Sequence, residues 1–212
     1  MAAALAAGTI LAGCSSDNAD WSNLFRIAVN SWKTRDAAVS LDRAAAIPYA
    51  TLGIRIDGGP EQILVLATDV AGERLWASSA KVAILTKSGR IVSTSGFGTD
   101  LTAYHPSAPD ANNALSPGNH VWTGDFADIG QYSVQIQCIV SPGVPDPISI
   151  LGAEFQTLRI DESCQSDHLK WRFTNSYWLT PNTNRIWKAI QHIHPKGPEI
   201  QIELLRPPDS PQ

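Results

Sequence analysis

Between residues 21 and 32 the apolar side chains Trp21, Leu24, Phe25, Ala28, Val29 and Trp32 return at intervals of three and four. That spacing predicts one buried helical face, and Asp20 stands where an N-cap belongs. The other face carries few cations, Arg26 and Lys33, so packing on a protein core is expected rather than lying on a lipid surface. A second short helix is predicted within 36–46, ahead of Pro48.

From Tyr49 the period changes to two. Leu52, Ile54 and Ile56 alternate with Gly53 and Arg55, and Asp57-Gly58-Gly59-Pro60 is a turn signal. Strands are predicted over 62–68, over a longer stretch 75–86, and at Ile91-Val92, with turns at Ala71-Gly72-Glu73 and Ser88-Gly89. Residues 101–119 hold three prolines and are read as a long loop. Strands resume at Val121-Trp122 and over 132–140, where Tyr132, Val134, Ile136 and Cys138 share one face and Gln135 and Gln137 the other. After the prolines at 142, 145 and 147 come 148–160, then Leu169, Trp171 and Phe173 in alternation, the turn Pro181-Asn182-Thr183-Asn184, and strands over 185–193 and 200–204. About nine strands, with helices only at the front, predict a mainly β fold: an antiparallel β-sandwich or partly open β-barrel with an N-terminal helix.

The chain has 212 residues, enough for one domain, expected over 21–206, with the proline-rich 207–212 as a flexible tail. Residues 1–13 are apolar, small and uncharged. They are too few to span a bilayer, which needs about 20 apolar residues, but they match the apolar part of a secretory signal, whose cationic start would lie upstream of Met1. The run ends in Leu11-Ala12-Gly13-Cys14, which resembles the lipobox of bacterial lipoproteins. The resemblance implies cleavage before Cys14 and acylation there, including palmitate. Residues 14–20 would then be a polar tether, and Ser15, where an Asp would signal inner-membrane retention, implies the outer membrane.

The chain holds three cysteines, so assigning Cys14 to the anchor leaves Cys138 and Cys164. In an oxidising compartment such a pair is expected to bond, with a chain-entropy benefit of about 3.5 kcal/mol. Metal-ligand spacing is missing around them, and no metal or cofactor is expected. Charged residues make up 17% of the chain, against about 25% on average, and the net charge is −4, which leaves no basic face for nucleic acid.

Catalytic signatures are sparse. There is no Gly-x-Ser-x-Gly elbow and no phosphate loop. Gly96-Phe97-Gly98 is only a fragment of a glycine fingerprint. His192 and His194 alternate, which would place both on one face, and are read as surface histidines. Asp57, Glu61, Asp69, Glu73, Asp100, Asp125 and Asp128 supply carboxylates of the kind a glycosidase pairs, but their spacing pairs none of them. No enzymatic activity is expected. Of seven tryptophans, Trp171 lies on an apolar strand face, whereas Trp178 and Trp187 flank a turn and are expected to be the exposed ones, available to a sugar ring or a protein partner.

Three stretches resemble the YjbF/GfcB family of group 4 capsule polysaccharide lipoproteins. One is the lipobox at Cys14. Another runs from Leu64-Val65-Leu66 through Arg74-Leu75-Trp76 and Thr86-Lys87-Ser88-Gly89-Arg90-Ile91-Val92 to Gly96-Phe97 and Asp100-Leu101. The last is Asn175-Ser176-Tyr177-Trp178 through Ile186-Trp187 and Gln191 to Pro195, with Leu205-Arg206-Pro207 beyond; Asn184 stands where the family often has Gly. The resemblance implies a lipid-anchored accessory component of capsule or exopolysaccharide secretion at the periplasmic face of the outer membrane. It implies docking to an export partner, either an outer-membrane barrel or a periplasmic protein, and contact with the polysaccharide itself. It transfers no catalytic residues. The alternatives are a periplasmic glycan-modifying enzyme and a passive glycan-binding module.

Overall fold

The computed structural model describes residues 41–79, 81–107 and 115–208. Cys14, the tether, the helix expected over 21–32 and the end of the tail lie outside the described residues. The first described element is a short helix, α1 (Leu41–Ala45). Fifteen strands follow: β1 (Thr51–Ile56), β2 (Gln62–Val70), β3 (Glu73–Ala77), β4 (Ala83–Lys87), β5 (Arg90–Ser95), β6 (Ala103–Pro106), β7 (Gly118–Phe126), β8 (Gln131–Val140), β9 (Val144–Pro145), β10 (Ile148–Ile150), β11 (Ala153–Phe155), β12 (Leu158–Ser166), β13 (Trp171–Leu179), β14 (Ile186–His192) and β15 (Glu199–Arg206).

Thirteen strands form one antiparallel sheet in the order β5-β4-β3-β2-β1-β15-β14-β13-β12-β8-β7-β6, with β9 beside β12; β10 and β11 form a separate hairpin. The two edges of the sheet approach each other. The Thr94 amide donates to the Leu101 carbonyl at 2.8 Å, and the Ser93 hydroxyl to the Thr102 carbonyl at 2.9 Å. The sheet is thus a nearly closed barrel, which removes most of the exposed edge that an open sheet would present. Of the two architectures expected, the partly open barrel is the one formed, and the sandwich is not.

Period-two alternation sets the inward face. Along β8, Val134, Ile136, Cys138 and Val140 are buried while Gln135, Gln137 and Ile139 are exposed. Leu52, Ile54, Ile202, Leu204, Leu64, Trp76 and Ile84 fill the interior from the other wall. Because neighbouring strands run in opposite directions, the turns Ala71-Gly72, Ser88-Gly89 and 181–184 gather at one end of the barrel. Segments 78–82, 96–102, 127–130, 167–170 and 193–198 gather at the other.

Several expectations are corrected. The stretch 75–86 is two strands, since Ser78 accepts no continuation: its amide bonds the Val82 carbonyl at 2.9 Å and Lys81 adopts a positive φ of 63°. Trp76 and Ile84 then face each other across the hairpin, so the apolar pattern reads through a turn lacking Gly and Pro. The stretch 148–160 contains the β10–β11 hairpin, whose turn Leu151-Gly152 has φ of 50° and 82°. The expected loop 101–119 contains β6 and the start of β7. Tyr132 leaves the face shared by its alternates and is exposed, because Ser133 at φ 51° and a register slip between Gly124 and Phe126 turn the strand there.

Candidate functional site

Cys138 and Cys164 sit directly opposite each other on β8 and β12, with Cα atoms 4.1 Å apart, and the structure joins their sulfurs. The bond lies in the core, where the Trp122 indole N–H reaches Cys138 Sγ at 3.3 Å. Glu162 groups with these two sulfurs. With both sulfurs in the disulfide, the trio offers a metal one carboxylate only.

Glu162 has a different partner. It is 1% exposed, and Arg90, on the far side of the barrel in sequence, grips it with two parallel bonds: Nη1 to Oε2 at 2.9 Å and Nη2 to Oε1 at 2.8 Å. Asn175 Nδ2 donates to Glu162 Oε2 at 3.0 Å. The Tyr177 hydroxyl lies 3.3 Å from Glu162 Oε2 and 3.4 Å from Gln191 Oε1, its single proton serving one acceptor at a time. Gln191 in turn accepts from the Ile91 amide at 3.0 Å and donates to the Gly89 carbonyl at 3.2 Å, so a side chain from β14 satisfies the edge of β5. Gly89, at φ 78°, is needed on two counts: a Cβ there would lie 2.7 Å from Ile186 Cβ.

Burial disfavours the charged form of Arg90, but Glu162, then Tyr177 and Tyr104, outweigh it and raise its pKa further, so the guanidinium stays charged. The Tyr104 and Tyr177 rings flank it, each centroid 5.2 Å from Cζ. Burial likewise pushes the Tyr177 phenol well up, against the pull of Arg90 and with the push of Glu162, which keeps it a hydrogen-bond donor. One atom is left over: among the described residues Arg90 Nε has no hydrogen-bond partner.

Arg90 also lines a cavity of about 940 Å³. Leu52, Trp76, Ile160, Leu179, Ile202 and Leu204 supply apolar wall, and Gly72, Ser88, Gly89, Thr183 and Asn184 place it at the end of the barrel where those turns gather. Asn184 takes φ 52°, the left-handed geometry that Asn tolerates. Five lining residues are cationic, Arg74, Lys87, Arg90, Arg185 and Lys188, against one acidic residue, Glu73.

The two tryptophans expected at the surface part company. Trp178 is 7% exposed, a correction to that expectation. Asp146, which directly follows β9 beside β12, accepts from its indole N–H at 2.8 Å, and Arg159 and Lys188 lie over its ring at 5.4 Å and 5.3 Å. Trp187 is half-buried, packs against Phe155 with centroids 4.2 Å apart, bonds Thr180 Oγ1 at 3.2 Å, and borders the cavity. The expected surface pair of histidines is also corrected. The strand ends at His192, and His194 turns inward to bond Asp128 at 3.2 Å and to accept the Lys196 amide at 3.0 Å.

Glu61 and Glu203 come near each other over Gly53, where a Cβ would lie 2.5 Å from Glu61 Oε1. Burial raises the Glu61 pKa, Arg55 opposes this and Glu203 reinforces it. Each carboxylate has its own cation, Arg55 to Glu61 at 3.3 Å and Lys188 to Glu203 at 3.4 Å, on the face opposite the barrel interior. This is an ion-pair arrangement rather than the acid–base pair of a glycosidase cleft.

Sequence reasoning missed Arg90 and Glu162. The signal was present: Ile160, Glu162 and Cys164 alternate on one strand face, as do Trp171, Phe173, Asn175 and Tyr177, so parity alone turns the polar members inward.

Comparison with known proteins bears on what this barrel is. Lipoprotein GfcB of Escherichia coli strain K12 is 22% identical over 202 residues, covering 93% of this chain and 94% of that one. Lipoprotein YjbF of the same organism is 24% identical over 209 residues, covering 93% of each. The crystal structure of the hypothetical lipoprotein YmcC from Escherichia coli K12 shares the fold, with a TM-score of 0.68 at 19% identity over 90% of this chain and 96% of that one. The family described as group 4 capsule polysaccharide lipoprotein GfcB, YjbF matches residues 21–205, and the chain belongs to that family.

Proposed function

We propose that the protein is a lipid-anchored accessory component of capsule or exopolysaccharide secretion, held at the periplasmic face of the outer membrane through acylated Cys14. Its β-barrel docks onto a partner of the export assembly and contacts the polysaccharide. The observation that carries this reading is the family match across 21–205, nearly the whole barrel rather than one motif. The lipobox-like Leu11-Ala12-Gly13-Cys14 and the polar residues after it support the anchor. Trp187, with an exposed portion at the cavity rim, supports a contact role better than Trp178 does.

Deleting the gene is expected to lower surface or secreted polysaccharide while its lipid-linked precursor continues to be made, and a Cys14→Ala variant is expected to restore export poorly. Unchanged export in the deletion strain overturns the proposal. Crosslinking in intact cells followed by capture of the lipoprotein identifies the docking partner.

A further inference from the structure

The cavity has features that a well-packed core lacks. At about 940 Å³ it stands at the upper end of the range for small-molecule sites, roughly 300–1,000 Å³. Its apolar surface comes from the half-buried Val92, Leu115, Ile186 and Trp187, with Leu52, Trp76, Ile202 and Leu204 packed almost wholly buried behind them. The polar part of the lining has one dominant sign. Arg90, 6% exposed, borders the hollow with Nε unpartnered, and Arg74, Lys87, Arg185 and Lys188 also line it against Glu73 alone. Four of these cations have carboxylate partners, Arg90 with Glu162, Arg74 with Asp69, Lys87 with Glu73 and, on the outer face, Lys188 with Glu203, and Arg185 lies over the Trp187 ring at 5.6 Å. The Arg74 and Lys87 pairs face solvent, where ion pairs are weak and exchange readily, so an incoming anion can take the place of a carboxylate there.

An aliphatic chain matches the wall, and a phosphate head matches arginines at the rim, which bind such oxygens in paired hydrogen bonds. We propose that the barrel binds a phosphate-headed lipid, its hydrocarbon chain in the cavity between β3, β5, β6 and β15 and its phosphate among Arg74, Lys87 and Arg185. This site is independent of the secretion role, since it rests on the barrel's own lining. Trp187 borders the same rim, where a group attached to the phosphate would lie.

The test uses the full chain with Cys14→Ala, which has no acyl group of its own to occupy the cavity. Titration with hexadecyl phosphate is expected to saturate at one per chain. Hexadecylphosphocholine, with the same chain and a zwitterionic head, is expected to bind about tenfold more weakly, and inorganic phosphate alone is expected not to compete. Ala103→Trp, on the half-buried cavity wall, is expected to abolish binding, and Thr183→Trp, on an exposed rim turn, to weaken it and serve as the blocking variant if the first fails to fold. Arg185→Glu is expected to erase the preference for the anionic head while leaving thermal unfolding unchanged. Absence of saturable binding, binding unaffected by both tryptophan variants, or equal affinity for the two heads overturns the proposal. Mass spectrometry of lipid extracted from the native lipoprotein then distinguishes a diacyl phosphate lipid from a polyprenyl phosphate, and recovery of zwitterionic lipid alone counts as refutation.

Discussion

At the barrel end formed by 127–130, 167–170 and 193–198, Phe126 meets Trp171 edge-on at 6.1 Å and His194 at 5.3 Å, and Trp171 stacks on Phe173 at 3.9 Å. The loop 96–102 folds over the same end, with Asp100 accepting from Thr94 Oγ1 at 2.9 Å and from the Gly96 and Phe97 amides at 3.3 Å. At the opposite end the interior is a hollow bordered by arginine and lysine. Between the two lies the Arg90–Glu162 pair. The difference teaches that closing a β-barrel does not by itself fill it. One end is filled by stacked and edge-on aromatic rings, while the other holds space and charge that folding does not require.

The largest expected effect comes from breaking the ion pair between the two ends. Glu162→Ala leaves the Arg90 charge buried and unpaired, and urea denaturation is expected to show a loss of about 3–5 kcal/mol. The double variant Arg90→Met, Glu162→Leu is expected to recover most of that loss, because desolvation of both charges is removed with the attraction. If the double variant is as unstable as the single one, the pair contributes net stability that burial alone does not explain.

The contrast itself is tested by truncation at each end. Phe126→Ala in the packed end is expected to cost about 3–5 kcal/mol, and Ile202→Ala beside the hollow about 2 kcal/mol, since its neighbours already border a void. Equal losses measured by chemical denaturation would erase the distinction drawn between the ends. Replacing Cys138 and Cys164 together by alanine is expected to cost about 2–4 kcal/mol, and the same decrement should appear when the wild-type protein is reduced.

The smallest effect concerns the outer face. Glu61 has a folded-state pKa raised above 4.5, first by burial. The stability associated with its protonated form is therefore fully present below pH 4.5 and is lost as pH rises through the folded value. Glu61→Gln is expected to stabilise the protein slightly at pH 7, with the gap closing below pH 4.5 in urea denaturation. A variant less stable than wild type at pH 7 would show that the Arg55 ion pair outweighs burial.

How far these features were legible differs from residue to residue. The alternation of Val134, Ile136 and Cys138 announced both a strand and its buried side, because the pleat imposes a period of two on every strand. Asp57-Gly58 and Pro181–Asn184 announced turns through residues with special backbone freedom. The turn at 78–82 carries no such residue, so the pattern predicts a continuous strand there. A position near a turn predicts an exposed ring for Trp178, yet a segment some thirty positions earlier in the chain covers it through Asp146. Pro195 next to it predicts a surface position for His194, yet Asp128 draws it inward across the packed end.

By itself, the sequence determined the β class, the inward and outward face of most strands, the pairing partner available to Cys138 once Cys14 is set aside, and the family. All of these follow from local periodicity, composition or short motifs along the chain. Only the tertiary structure decided that the sheet curls until β5 meets β6, that Arg90 closes on Glu162 across 72 positions, and that the space beside them stays open. Those outcomes depend on which distant strands become neighbours and how tightly their side chains meet, and no period or motif along the chain encodes that distance.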